Sequence, residues 1–237
     1  MAHIDQLKFV KAFKEFYLKN NFSKDINALE IGSYDVNGSI KQEFDFTKRY
    51  IGIDLINGPN VDVVLDGSQI DKMNQKFDMI LSFECFEHAK NWKIIFKKIY
   101  NILNINSFLV LSMASTGRVE HGTSRSGQWQ SPGTSDEYYK NLTKKDFLCF
   151  DLDNMFSSYF FFYNVNSFDL YFVGIKGHKA KHKLLNHLNQ NLYKIFKKKK
   201  IRKQLQYIYT IIVGETFKQN FYFFRKKIYF LLISFFK

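Results

Sequence analysis

The chain has 237 residues, which is enough for one large α/β domain with an appendage. Its net charge of +13 is uneven, because residues 1–175 carry 19 Lys and Arg against 21 Asp and Glu, whereas residues 176–237 carry 16 against one acid. Two cysteines, Cys85 and Cys149, exclude a disulfide framework and lack metal-ligand spacing, and residues 1–22 lack the apolar run of a signal peptide. These features predict a cytoplasmic protein.

The first third of the chain alternates between helical and strand patterns. Leu7, Val10 and Phe13 recur at helical spacing between lysines, which predicts an amphipathic helix. Short apolar runs that end in Gly or Asp predict strands. In chain order the predicted elements are a helix at 5–19, a strand at 28–32, a helix at 37–46 and strands at 50–54 and 61–66.

The alternation continues and ends in a hairpin. The predicted elements are a helix at 68–75, a strand at 78–83, a helix at 91–103, a strand at 108–113, a long polar loop at 115–137, a helix at 143–156, and strands at 159–165 and 169–176. Nearly continuous apolar strands between helices predict a doubly wound, mostly parallel α/β sheet. Only three residues separate the last two strands, so they must pair antiparallel, giving seven strands in all.

Informative residues follow the predicted strands, where open parallel sheets bind ligands. Gly32 and Gly38 come after the first strand, and Asp54 and Asp66 end the second and third. Glycine permits close approach of a ligand, and an acid at these strand ends can accept hydrogen bonds from a ribose or an adenine amino group. Each residue alone could equally be a turn glycine or a cap.

Together these residues resemble the class I S-adenosylmethionine-dependent methyltransferases, particularly the small bacterial type with a Glu-His pair after strand four. The pair here is Glu87-His88, and the resemblance covers about 25–176. It implies S-adenosylmethionine as cofactor, with Asp54 at the ribose and His88 near the substrate. The cofactor-binding residues that it implies are Glu30, Gly32, Ser33, Gly38, Asp54, Asp66, Gly67, Ser82 and Glu84.

One departure from that family lies in its usual Gly-x-Gly-x-Gly loop. Tyr34 and Val36 stand where the second and third glycines are expected. A pyrophosphate site needs the dense backbone amides that these glycines allow, whereas S-adenosylmethionine has no phosphate. The departure therefore argues against an NAD-dependent oxidoreductase more than against a methyltransferase. A non-catalytic cofactor-binding adaptor is a further alternative.

Methyl transfer to an alcohol or amine also requires loss of a proton, and His is suited to accept it. His88 and His121 are the candidate catalytic residues, although each could be structural. The long loop suggests substrate-binding roles for Arg118, Trp129 and Tyr138, of which Trp129 and Tyr138 could equally anchor the loop. We expect no metal, because no ligand spacing occurs along the chain.

The chain divides into an N-terminal helix at 1–24, a methyltransferase domain at 25–177 and a basic, aromatic-rich helical tail at 178–237. The longest late apolar run, 228–236, is too short to span a bilayer. The tail could lie on an anionic inner-membrane surface, pack on the core or form a homodimer, and nucleic acid is disfavoured. The leading hypothesis is O-methylation of a small-molecule or glycan-like acceptor.

Overall fold

The fold is taken from a computed structural model, which describes residues 3–20, 22–23, 25–134, 137–177, 184–197 and 201–235, with side chains as far as residue 228. The helices are α1 (Ile4–Lys19), α2 (Trp92–Ile102), α3 (Leu152–Met155), α4 (Asn186–Ile195), α5 (Ile201–Val213) and α6 (Glu215–Phe235). The strands are β1 (Asn27–Ile31), β2 (Arg49–Asp54), β3 (Val63–Val64), β4 (Phe77–Phe83), β5 (Leu103–Ala114), β6 (Phe156–Asn164) and β7 (Asp169–Lys176). Short 3-10 helices span Lys41–Phe44, Gly67–Met73, Phe86–His88, Gln128–Gln130 and Lys144–Cys149.

The strands form one seven-stranded sheet in the order β3-β2-β1-β4-β5-β7-β6. The first five strands of that order are parallel, and β7 pairs antiparallel with both β5 and β6. This confirms the predicted doubly wound sheet with a closing hairpin. The strand order reverses between β1 and β4, so a crevice opens beyond their carboxyl ends.

Aromatic side chains fill the core on both faces of the sheet. On one face, α1 buries Phe9 and Phe13 completely, and the Phe9 ring stacks 4.2 Å from that of Tyr171 in β7. On the other face, α2 packs Phe96 against Phe147 at 5.4 Å. The helix α1 is thus part of the core, and its contacts with the sheet cross the domain boundary predicted after residue 24. The predicted boundaries after residues 24 and 177 stay predictions.

Three predicted elements differ from the structure. The helix predicted at 37–46 is reduced to Lys41–Phe44, because the Asp35 carboxylate accepts the N–H of Gly38 at 2.6 Å and holds a turn there. The helix predicted at 143–156 is divided into two short helices, since Asp151 caps the second of them. The third strand, predicted at 61–66, is only two residues long.

The described parts of the tail, 184–197 and 201–235, are largely helical, as predicted, and they contact the domain. Leu188 and Leu192 of α4 are buried in the same core cluster as α1. Glu215 and Gln219 of α6 accept hydrogen bonds from the backbone N–H groups of Gly117 and Glu120. Among the described residues, no helix has the length and apolar character needed to cross a membrane.

Candidate active site

A cleft of about 1240 Å³ opens at the carboxyl ends of β1, β2 and β4. Sites for one small ligand are usually of roughly 300–1,000 Å³, so this cleft has room for a donor and an acceptor together. Many of the residues discussed in the sequence analysis line it, among them Gly32, Tyr34, Val36, Asp54, Asp66, Gly67, Glu84, His88, Arg118 and His121.

Gly32 allows two loops to meet at the floor of the cleft. It has a φ of +78°, and its N–H donates to the carbonyl of Ile53 at 2.9 Å. A Cβ at this position would lie 2.7 Å from the Cβ of Cys85, closer than side chains can pack. Only glycine therefore fits here, and it leaves backbone exposed to a ligand.

Asp54 and Asp66 present carboxylates in the wall of the cleft. The Asp54 carboxylate accepts the N–H groups of Tyr34 at 3.0 Å and Leu55 at 2.7 Å, and burial raises its pKa. The Asp66 carboxylate accepts the N–H of Ser68 at 2.7 Å. A carboxylate has about four acceptor sites, so both acids retain capacity for ligand hydroxyl or amino groups.

Four of the predicted cofactor-binding residues do not line the cleft, namely Glu30, Ser33, Gly38 and Ser82. The buried Glu30 carboxylate accepts the hydroxyl hydrogen of Tyr50 at 2.7 Å, and burial raises its pKa to about 7. Ser82 donates its hydroxyl to the carbonyl of Ile31 at 2.8 Å, which ties β4 to β1. Their predicted contacts with the cofactor stay predictions.

Glu84 is the centre of a buried charged network beside the cleft. Its carboxylate accepts hydrogen bonds from Gln6 at 2.7 Å and Arg118 at 3.2 Å, and Arg118 also pairs with Asp169 at 3.3 Å. Burial alone would raise the pKa of Glu84, but neighbouring positive charge, above all that of Arg118, outweighs burial and holds it at about 2. Glu84 has a φ of +53°, and such strain occurs often at functional sites.

His88 and His121 lie together on the cleft wall, with ring centroids 4.9 Å apart. Burial lowers the pKa of His88 to about 3 and also holds the pKa of His121 below its ordinary value, so both imidazoles are neutral at neutral pH. The Nδ1 of His121 lies 3.2 Å from the carbonyl of Val119. Because that nitrogen then carries the hydrogen, Nε2 keeps its lone pair.

The residues predicted to bind substrate are distributed unevenly. Arg118 lines the cleft, whereas Trp129, which is 62% exposed, and Tyr138 do not. Their predicted roles remain untested.

Sequence reasoning missed the residues that α1 and the tail bring to the site. His3 from the N-terminal segment lines the cleft, as do Lys203, Gln206, Tyr222, Phe223 and Lys226 from α5 and α6. They lie far from the strand-end motifs along the chain, and no local pattern marks them.

The structure also gathers potential metal ligands that are separated in sequence. Glu87, His88 and His121 each offer a ligand atom, and these atoms lie within 4.8 Å of one another. His3, Glu84 and Asp169 form a second such group. The sequence expectation of no metal rested on spacing along the chain, which cannot show groups of this kind.

A family described as a methyltransferase domain matches residues 1–147, more than half of the chain. The chain therefore belongs to this family of methyltransferases. No curated protein matches the chain.

Solved structures share the fold at low sequence identity. N-methyltransferase NodS from Bradyrhizobium japonicum WM9, in complex with S-adenosyl-L-homocysteine, is 11% identical over 74% of this chain and 89% of that one, with a TM-score of 0.51. CurJ carbon methyltransferase is 14% identical over 73% of this chain and 55% of that one, with a TM-score of 0.52. An S-adenosylmethionine-dependent methyltransferase from Clostridium acetobutylicum ATCC 824 is 18% identical over 46% of this chain and 50% of that one, with a TM-score of 0.40. The chain thus spans about half the length of two of these three structures, and the first two likenesses show the class I methyltransferase fold.

Proposed function

We propose that the chain transfers a methyl group from S-adenosylmethionine to an oxygen of a small-molecule or glycan-like acceptor. The observation that supports this most directly is the arrangement of the cleft. Asp54, Asp66 and the open backbone at Gly32 share a wall with the neutral histidines 88 and 121. One part of the cleft thus suits the donor, and another offers groups that can act on an acceptor hydroxyl.

The residues present fit the proposed donor. Asp54 would accept the ribose hydroxyls, and Asp66 the adenine amino group. Tyr34 and Val36 line the cleft where a dinucleotide enzyme needs glycines, and a donor without phosphate tolerates these side chains. When bound, the donor supplies a sulfonium-activated methyl group.

The chain itself contributes to methyl transfer chiefly by positioning the acceptor. Holding an acceptor oxygen in line with the methyl group removes most of the entropic cost of the encounter. The acceptor hydroxyl must also lose its proton. A neutral imidazole has a nitrogen lone pair that can accept a proton or bind a cation, and His88 and His121 present such nitrogens at the cleft wall.

The polar lining of the cleft favours an acceptor with several hydroxyl groups. Short hydroxyl and amide side chains suit hydrogen bonding to a sugar, and the rings of Tyr222 and Phe223 provide apolar faces. The hydroxyl and amide side chains that line the cleft are those of Asn91, Ser126, Gln130, Ser131, Thr134, Asn166, Ser167 and Gln206.

Calorimetric titration with S-adenosylmethionine, S-adenosylhomocysteine and NAD tests the donor site. We expect the first two ligands to bind and NAD not to bind. Asp54→Asn should weaken binding about 10- to 150-fold, because a ribose hydroxyl loses a charged acceptor. The matched control is Asp71→Asn, which alters an exposed acid outside the cleft that pairs with Lys98. Binding of NAD alone would refute the proposal.

The acceptor is tested by incubating the enzyme with labelled donor and panels of sugar nucleotides, glycolipids and small amines. We expect label in methyl ethers on oxygen. Label found only on nitrogen or carbon would refute the oxygen assignment while leaving the donor site in place.

A further inference from the structure

Three potential metal-ligand side chains from two separate segments lie close together beside the cleft. Glu87 and His88 lie in the 3-10 turn that follows β4, and His121 comes from the long loop after β5. One ligand atom from each lies within 4.8 Å of the others. Two of the three residues, His88 and His121, line the cleft directly.

Two of these side chains are buried with unsatisfied polar atoms. Glu87 is 0% exposed; one carboxylate oxygen accepts the N–H of Ala114 at 3.1 Å, and the other has no hydrogen-bond partner among the residues that the structure describes. His88 is 8% exposed, and within the described part of the chain its Nδ1 also has no hydrogen-bond partner. Buried polar atoms are almost always satisfied, so a pair of exceptions in one cluster needs an explanation such as a bound ion.

We propose that Glu87, His88 and His121 bind one divalent transition-metal ion. Two imidazoles with one carboxylate suit Zn²⁺, Co²⁺, Fe²⁺ or Mn²⁺ better than Mg²⁺, which prefers oxygen ligands. Metal–ligand distances of about 2.0–2.2 Å require the ligand atoms to draw closer than 4.8 Å, which side-chain rotation can supply.

The surroundings orient these ligands as metal sites require. The carbonyl of Val119 faces the Nδ1 of His121 at 3.2 Å, and the N–H of Ala114 holds one oxygen of Glu87. Such partners fix the ligand orientation and the tautomer. A carboxylate oxygen of Glu84 lies 3.6 Å from the Nε2 of His121 and adds negative charge next to the cation.

The role of the ion rests on the proposed methyl transfer. Three protein ligands would leave further coordination positions on the ion, and two of the three ligands, His88 and His121, line the cleft. An acceptor hydroxyl bound there would be oriented and made more acidic by the metal. The lone pairs of the imidazoles would then bind the ion, and the hydroxyl proton would pass to water at the open mouth of the cleft as the oxygen takes the methyl group.

The second group of potential ligands, His3, Glu84 and Asp169, is a weaker candidate. The Arg118 guanidinium already pairs with Glu84 at 3.2 Å and with Asp169 at 3.3 Å. Its positive charge satisfies the two carboxylates and repels a cation.

The test is titration of the purified full chain with Co²⁺, followed by visible absorbance, and with Zn²⁺ and Mg²⁺, followed by calorimetry. We expect one saturable Co²⁺ or Zn²⁺ site for each chain. Glu87→Gln, His88→Gln and His121→Gln should each weaken it at least about 100-fold, since ligand loss exceeds the 10- to 100-fold effect of second-shell changes. His187→Gln, which changes an exposed histidine, is the matched control and should bind normally.

Several results would overturn the metal site: no saturable site, preference for Mg²⁺, undiminished binding in the three variants, or loss only in His3→Gln. If a variant does not fold, the wild-type chain still decides, because an ion that binds the folded state must raise its melting temperature with the logarithm of ion concentration above the dissociation constant. Titration with S-adenosylmethionine in the same samples separates failure of the metal site from failure of the donor site.

A separate observation concerns the outer surface of the tail. The helices α5 and α6 bury several polar side chains against the protein and leave a row of apolar ones exposed, whereas an ordinary surface helix turns its apolar stripe toward the core. We call the outward residues the outer stripe; each helix contributes four at the spacing i, i+4, i+7 and i+11. They are Ile201, Leu205, Ile208 and Ile212 on α5, and Phe217, Phe221, Phe224 and Ile228 on α6, and they are between 41% and 76% exposed.

The inward face explains this orientation. Lys218 donates to the carbonyl of Gly117 and is 7% exposed, and Gln219 donates to the carbonyl of Arg118 at 2.6 Å. Gln206 of α5 donates to the same Gly117 carbonyl at 3.3 Å. These polar contacts fix both helices against the loop that borders the cleft, so the outer stripe must face away from it.

We infer that the outer stripe docks on an anionic membrane surface. Exposed apolar area of this extent marks an interaction site, and the surrounding segment, 176–237, carries 16 Lys and Arg against one acid. That charge complements anionic headgroups, whereas in a second copy of the chain it would face its own sign. Docking would bring the cleft wall formed by Tyr222 and Phe223 close to the membrane.

The test is cosedimentation with vesicles of phosphatidylcholine alone or mixed with phosphatidylglycerol. We expect binding to the mixed vesicles only. Leu205→Gln with Phe224→Gln should weaken it at least about tenfold through lost apolar burial. The matched control pair is Ile105→Gln with Leu148→Gln, equally exposed and outside the tail, which should bind normally.

A double variant that removes two positive charges completes the test. Arg202→Gln with Lys227→Gln should weaken binding about fivefold for each charge removed. Absence of binding, equal binding to neutral vesicles, or equal loss in the control pair would overturn the docking surface. A dimer in sedimentation velocity that the stripe variant abolishes would assign the stripe to a second copy instead.

Discussion

The buried carboxyl of Glu30 makes the stability of this protein depend on pH. Glu30 lies on β1 beneath the cleft, 4% exposed, with the Tyr50 hydroxyl as its hydrogen-bond donor at 2.7 Å. Burial raises its pKa from 4.5 to about 7, even though the Tyr50 hydrogen bond opposes the change. The perturbation is Glu30→Gln, which keeps the shape and removes the ionisation.

The magnitude follows from the difference between the folded and unfolded pKa. Above pH 4.5 the unfolded chain loses this proton, whereas the folded chain keeps it until about pH 7. The folded state therefore binds more protons in this window, and stability falls as pH rises. Each pKa unit corresponds to about 1.4 kcal/mol, so the loss between pH 4.5 and 7 amounts to about 3 kcal/mol.

The assay is thermal and urea unfolding of the wild type and Glu30→Gln between pH 5 and 9. Near pH 5 the two proteins should be of similar stability. Above pH 7 the variant should be more stable by about 3 kcal/mol, which raises its melting temperature by about 6–12 °C for a chain of this size. Glu15→Gln, a change at an exposed carboxyl on α1, is the control and should stay within about 0.5 kcal/mol at every pH. A difference between wild type and Glu30→Gln that does not change with pH would refute the reasoning.

Three further predictions concern the site and the tail. In urea unfolding, Gly32→Ala should lower the free energy of unfolding by more than the about 1–2 kcal/mol of left-handed strain, and it should weaken donor binding. Gly214→Ala should show the strain alone, because its Cβ would meet no described atom within 4 Å. Arg118→Met should lower the free energy of unfolding by about 3–5 kcal/mol, because two buried carboxylates lose their partner. Arg125→Met breaks only an exposed ion pair and should lower it by less than about 1 kcal/mol. Lys218→Met removes the hydrogen bond that holds α6 to the carbonyl of Gly117. Amide hydrogens of α6 should then exchange faster, with a free energy of protection lower by about 1–3 kcal/mol. Unchanged exchange would contradict that anchoring role.

The strands and the closing hairpin could be predicted because their signals are local. A strand buried on both faces must be apolar along its length, as residues 78–83 are, and a three-residue connection forces antiparallel pairing. The strand-end positions of Gly32, Asp54 and Asp66 followed in turn, since parallel strands place their carboxyl ends at one edge. The helices predicted at 37–46 and 143–156 were wrong in extent because side-chain caps at Asp35 and Asp151 outweighed apolar periodicity.

The sequence by itself therefore determined the sheet, the family resemblance, the edge of the sheet that carries the site, and the basic character of the tail. Tertiary structure alone decided that the rings of His88 and His121 lie 4.9 Å apart, that Glu30 accepts a hydrogen bond from Tyr50, and that α6 forms part of the cleft wall. The physical reason is the range of the forces involved. Periodicity and caps act within a few residues, whereas burial, charge pairing and ligand convergence depend on side chains brought together from segments about 30 to 160 residues apart, which only the packed chain specifies.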